Sequence, residues 1–191
     1  MQELRSIRNI HSRALVLVLL AWNSALGSPV PGWKAFESTK SGFKVRYPAQ
    51  WQELRGIDGS PGSKDRLDII NFPNAERVQG VVIKKGGAEI SVGPAGSGSI
   101  DDWVRDNTKL DTQVQRRTIQ MSSTDPSGCM SLVEVTSLSE VGPDTQFSRT
   151  VYFCSTRRGA FAVSLTNWQG DPKEVELREL AREIVISLRI R

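Results

Sequence analysis

The chain has 191 residues, with 25 Lys and Arg against 21 Asp and Glu, two cysteines and a single histidine. That length suits one domain plus a processing segment. The histidine, His11, falls inside the leader read below, so a Ser-His-Asp or Cys-His nucleophile system and a histidine-containing zinc site are excluded from the mature chain. Two cysteines alone do not complete a structural zinc site, which leaves carboxylate or lysine chemistry, or a carboxylate site for a hard cation.

In chain order, Arg5, Arg8 and Arg13 form a basic start, Ala14–Trp22 is an apolar run, and Ala25-Leu26-Gly27 is a small-residue cleavage pattern before Ser28. Nine apolar residues at about 1.5 Å each do not cross a hydrocarbon core of about 30 Å, so no stable membrane span is expected after cleavage. No cysteine lies near the cut, which argues against a lipid anchor. Residues 1–27 are expected to be a signal peptide, which makes the mature protein periplasmic or secreted; the alternative is an uncleaved anchor. Losing three arginines and one glutamate leaves a net charge of about +2, too small a bias to argue nucleic-acid binding.

Residues 28–35 read as a polar lead-in, with a single domain over 36–191. Phe43, Val45 and Tyr47 alternate with Lys44 and Arg46, the pattern of a half-buried strand. Pro48 lacks a ladder donor and ends it, and Trp51 can fold back over the apolar face. Leu67–Phe72 is a further predicted strand. Val81–Lys84 and Glu89–Val92 read as a hairpin around Lys84-Lys85-Gly86-Gly87. The glycine-rich stretch 93–99 has no Gly-Lys-Ser/Thr after it and is a connector rather than a phosphate loop.

Ser99 as N-cap with Asp102 three residues on predicts a helix with Ile100, Trp103, Val104 and Leu110 on one face. Asp101, Asp102 and Asp106 read as acids at the positive end of that helix rather than as metal ligands. Val114–Met121, Cys129–Ser139, Gln146–Thr156 and Ala160–Trp168 then predict four consecutive antiparallel strands. Around Val133 and Val151 both parities are apolar, so both faces of that sheet must be covered. Asp171 as N-cap, Pro172 and Glu174 open a last helix, with Leu177, Leu180, Ala181, Ile184 and Leu188 as its buried stripe. The two cysteines of an exported chain are expected to pair. Centring the turn of the 129–156 hairpin between Val141 and Gly142 places Cys129 directly across from Cys154. Such a bridge would add about 3.5 kcal/mol in the chain-entropy account.

Gly42, Phe43, Tyr47, Pro48 and Trp51 spell Gly-Phe-x-x-x-Tyr-Pro-x-x-Trp. With a middle helix carrying "DDWV", a strand meander, and a last helix running into Ser187-Leu188-Arg189, the chain resembles the PsbP-like superfamily. That superfamily also contains the Ran-binding Mog proteins and periplasmic proteins of the DcrB type. The resemblance covers roughly 36–191 and implies an α+β fold: an antiparallel sheet flanked by helices in an α/β/α sandwich. It implies no enzyme and no cofactor, and relatives that act by docking on other proteins. The motif residues read as structural. Function is therefore expected to be non-catalytic docking on an envelope protein partner, with Lys84, Lys85, Arg157 and Arg158 as candidate partner surface. The alternatives are a small-molecule carrier with a pocket under Trp51 and Trp168, and a hydrolase built on paired carboxylates.

Overall fold

The computed structural model describes residues 32–54, 62–73, 83, 86–96, 98–121, 127–142 and 145–191. The expected leader lies outside these described residues, as do Lys84 and Lys85. The elements run β1 (Trp33–Ser38), β2 (Phe43–Pro48), β3 (Gln52–Glu53), β4 (Leu67–Ile70), β5 (Ala88–Pro94), α1 (Ile100–Asn107), β6 (Asp111–Ile119), β7 (Ser131–Gly142), β8 (Thr145–Thr156), β9 (Gly159–Trp168), α2 (Glu174–Ser187) and β10 (Arg189–Ile190). One sheet has the order β3-β4-β5-β9-β8-β7-β6, the other β1-β2-β10. Every pairing is antiparallel, so the class is α+β as expected.

The two-sided apolar pattern of the central strands fixes the layers. Tyr152 and Cys154 of β8 point to one face, Val151 and Phe153 to the other. On the first face α2 brings Leu177, Ala181, Ile184 and Val185 into one core with Leu132, Phe161, Val163 and Leu165. Phe43, Val45, Tyr47 and Trp51 of the first sheet region join the same core. On the second face Ile100, Trp103 and Val104 of α1 pack over Val133, Val135, Val151 and Phe153. Trp103 meets Phe153 edge-on, with ring centroids 4.4 Å apart.

The "GFKVRYPAQW" strand and the C-terminal tail are one structural unit. Gly42 has φ +66°, a region that favours glycine, and its carbonyl accepts from the Arg191 N–H at 2.9 Å. Two residues of β10 pair with Phe43 and Lys44 of β2. The Ser187 hydroxyl accepts from the Arg46 N–H at 2.9 Å and donates to the Ile184 carbonyl at 2.8 Å. Trp51 donates its backbone N–H to the Pro48 carbonyl and is buried at 4 % exposure, which is the folded-back lid the sequence suggests.

Several expectations are corrected. β1 begins at Trp33, inside the segment read as a lead-in, because Trp33 and Phe36 pack on the core. Both edges of β5 are occupied, by β4 and β9, and Val81, Val82, Lys84 and Lys85 of the hairpin expected around Lys84–Gly87 lie outside the described residues. Leu110 is not on the buried face of α1; the helix stops at Asn107 and Leu110 stands 90 % exposed. At the last helix the N-cap is Lys173 without a side-chain cap. Asp171 instead holds the preceding turn through the Lys173 N–H at 2.8 Å, and Glu174 receives a hydrogen bond from Ser148 at 3.0 Å. The capping box at Ser99 and Asp102 is present as expected.

The disulfide joins Cys129 and Cys154, with Cα atoms 5.2 Å apart, but not by the expected register. Leu132 lies across from Cys154 in the ladder, three residues further along than Cys129. β7 begins only at Ser131, after Gly128 with φ +75° and an exposed Met130. Cys129 therefore leaves the ladder and comes back onto the face of β8, where it packs against the main core.

Candidate functional site

β6 is the outer strand of the seven-stranded sheet, paired on one side only among the described residues. Its sequence explains its position. From Thr112 to Thr118 both parities are polar or charged apart from Val114, and all seven residues are exposed. Neither face can be buried without desolvating charge, so the strand ends the sheet rather than entering it. Its register shifts between Thr112 and Gln115, where Gln113 takes φ +50°. The start is anchored by Asp111, whose Oδ2 accepts from the Ser137 hydroxyl at 2.7 Å. Beside that anchor Leu110 and Val114 are exposed at 90 % and 41 %.

Two successive arginines put a guanidinium on each face of this edge. Arg116 pairs with Asp101 of α1. Arg117, on the α2 side, donates to Oε2 of Glu134 at 2.8 Å, and Arg178 of α2 donates to Oε1 of the same carboxylate at 2.8 Å. The Glu134 side chain is 3 % exposed, against 65 % for Arg117 and 35 % for Arg178. Burial pushes the Glu134 carboxyl up, but the hydrogen bonds and charges of the two arginines outweigh it and hold it below its ordinary range. Tyr152 lies opposite Glu134 in the ladder; burial and the carboxylate beside it push its hydroxyl up to about 12. A groove of about 300 Å³ runs between this network and α2, lined also by Gln115, Thr136, Ser148 and Glu174.

A larger cavity of about 870 Å³ lies beside β1, β2 and β4, with Phe36, Tyr47, Leu54 and Leu67 among its lining and Lys34 and Lys64 also lining it. There the Tyr47 hydroxyl donates to Glu53 Oε1 at 2.5 Å, and burial together with that bond raises its pKa.

Arg157 and Arg158 are exposed in the turn between β8 and β9. That turn closes the end of the sheet where β6 finishes, since Ile119 faces Leu132 and Ser131 faces Ser155. Trp51 and Trp168 belong to separate apolar clusters, so they do not share the pocket a carrier was expected to use. Asp102 is spent on the Ser99 cap and on Arg105, and Asp101 on Arg116. Among the described residues no group of three His, Cys, Asp or Glu side chains could hold a metal ion. Sequence reading missed the Arg117–Glu134–Arg178 network. Its one signal was a charge between Val133 and Val135, in a strand whose both faces have to be covered.

No family model and no curated protein sequence matches the chain. Among solved structures it is similar to the Saccharomyces cerevisiae Ran-binding protein Mog1p, at 12% identity over 83% of this chain and 95% of that one, with a TM-score of 0.47. It is similar to cyanobacterial PsbP from Synechocystis, at 15% identity over 89% of this chain and 99% of that one, with a TM-score of 0.39. It is also similar to LpqN of Mycobacterium tuberculosis, involved in cell envelope biogenesis, at 13% identity over 88% and 87% of the two chains, with a TM-score of 0.33.

Proposed function

We propose that the chain is a non-catalytic, extracytoplasmic protein that docks on an envelope protein partner through the β6 edge. One observation carries the reading: among the described residues a nine-residue strand is paired on one side only at the end of the large sheet, with Leu110 90 % and Val114 41 % exposed beside it. Apolar side chains at such exposure, next to unpaired backbone donors and acceptors, favour contact with another chain. The carboxylates support the same reading. Glu134 and Asp111 are nearly buried, and each is held by arginine or hydroxyl partners, not set against a second acid across a cleft. The basic leader, its cleavage pattern before Ser28 and the disulfide are what an exported protein needs. N-terminal sequencing of the exported protein should begin near Ser28; a retained Met1 would favour an anchor instead.

The docking test is site-specific photo-crosslinking in the native envelope. A photoreactive residue at Leu110 should give a discrete crosslinked product. One at Val175, 72 % exposed on α2, should not. Crosslinks from Val175 alone, or from neither site, overturn the proposed surface. A second reading, a small-molecule carrier, is favoured by the cavity of about 870 Å³ beside β1, β2 and β4, a volume in the range of ligand pockets. Native mass spectrometry of the exported protein checks it: a co-purifying small molecule would move the function to that cavity.

A further inference from the structure

Resting on the docking reading, we propose that β6 receives an extended segment of the partner as an additional strand, with an acidic side chain of that segment set against Arg117. Three features select this occupant. First, the regular part of the edge is short. The register shift at Thr112 to Gln115 leaves Gln115–Ile119 as an uninterrupted run, about 17 Å of strand at about 3.3 Å per residue. Such a run offers backbone hydrogen bonds to a strand and little area to a flat surface.

Second, the α2 side of the edge carries an exposed guanidinium. Arg117 and Arg178 share the single carboxylate of Glu134, which is itself nearly buried. Glu174 and Glu179 of α2 add negative charge near the groove, but Arg117 itself stands at the edge, 65 % exposed. A guanidinium has five donors, and Arg117 directs one at Glu134. The buried carboxylate keeps Arg117 at the edge before any partner arrives, which lowers the ordering cost of a second carboxylate bond. On the α1 side Arg116 is already matched by Asp101.

Third, the same charges disfavour a second copy of this chain. Antiparallel self-pairing across Gln115–Ile119 sets Arg116 and Arg117 of one copy opposite or diagonal to those of the other. Like charges so placed are destabilising. An acidic strand has the opposite sign of interaction at the same positions.

The probe is the synthetic peptide Thr-Val-Thr-Glu-Val-Glu-Val-Thr, whose glutamates share one face, together with its glutamine and lysine counterparts. Each is titrated into the mature, disulfide-bonded protein, with amide hydrogen exchange read along the chain. The glutamate peptide should slow exchange across residues 115–119. The glutamine peptide should bind about fivefold more weakly, the difference between a charge-assisted and a neutral hydrogen bond, and the lysine peptide more weakly still. Arg117→Gln should abolish the glutamate–glutamine difference, its fold checked by retained exchange protection in β7 and β8. No binding by any peptide, equal affinities for all three, protection elsewhere, or dimerisation through β6 overturns the proposal. If the Leu110 crosslink persists under any of these results, the docking reading stands and strand addition alone falls. If the crosslink is lost and the peptide still protects β6, the reverse holds.

Discussion

Replacing Glu134 with alanine tests the network that holds the open edge in place. The carboxylate is 3 % exposed and bonded to guanidiniums from two elements, Arg117 on β6 and Arg178 on α2. Removing one member of a fully buried ion pair costs about 3–5 kcal/mol, chiefly because a buried charge is orphaned. That penalty is reduced here. Arg117 and Arg178 are 65 % and 35 % exposed, so both can turn into water once the carboxylate is gone. What remains is the loss of two charge-assisted hydrogen bonds, screened by solvent, and a small cavity under the groove. About 2–3 kcal/mol is expected for Glu134→Ala. Arg117→Ala or Arg178→Ala should cost less, about 1–2 kcal/mol, since each leaves Glu134 one partner. Urea unfolding followed by tryptophan fluorescence measures all three. The Glu134 carboxyl is held below its ordinary pKa in the fold, so its contribution is present above the unfolded value and fades as pH falls through the folded one. The gap between wild type and Glu134→Ala should therefore close below about pH 4. A cost under about 0.5 kcal/mol at pH 7, or a gap that persists unchanged in acid, would refute the reasoning.

Trp51→Ala should lose about 3–5 kcal/mol, because a nearly buried indole leaves a cavity in the core shared by both sheets; an equally stable variant that had lost partner binding would make Trp51 a contact residue instead. The isolated protein should carry no free thiol by non-reducing mass spectrometry. Double replacement of Cys129 and Cys154 by serine should lower stability by up to about 3.5 kcal/mol without changing the circular dichroism spectrum. Burial and Glu134 raise the Tyr152 hydroxyl to about 12, so its neutral form favours the fold below the unfolded value near 10, and that stability is lost as pH rises toward 12. Tyr152→Phe should lose less stability than wild type across that alkaline window; an identical decline in both proteins would remove Tyr152 as its cause.

The strands and helices were legible where local chemistry and burial agree. Phe43, Val45 and Tyr47 alternate because one face of β2 is in the core, and that core is where the structure puts them. The four strands from β6 to β9 follow one another in chain order and in the sheet, as short polar breaks predict. The errors fall where a local signal was satisfied by something not local. "DPKE" has the form of a capping box, yet Glu174 is drawn to Ser148, a residue 26 positions away on β8. The apolar Leu110 follows the helical stripe in sequence, but α1 ends before it and the chain turns toward β6. For the disulfide, the right pair came from a wrong register. The turn was centred too early, and the offset was absorbed by Cys129 leaving the ladder after Gly128.

The candidate site was hidden for a more general reason. Arg117, Glu134 and Arg178 come from three elements, and only strand register and helix placement make them neighbours. A single arginine on a polar strand reads as a solvated charge, and a single arginine on an amphipathic helix reads the same way. Glu134 was the one residue out of place: a carboxylate between two valines in a strand covered on both sides must either be neutral or be paired. It lies across from Tyr152 in the ladder, and its two oxygens are met by Arg178 of α2 and by Arg117 of the edge. The buried acid therefore ties the exposed strand to the helix on the far side of the groove. An edge kept in register by a charge inside the fold keeps its outward backbone groups and the exposed Arg117 aligned. On the proposed docking, the same tie that costs desolvation in the core is what would prepare β6 to meet another strand.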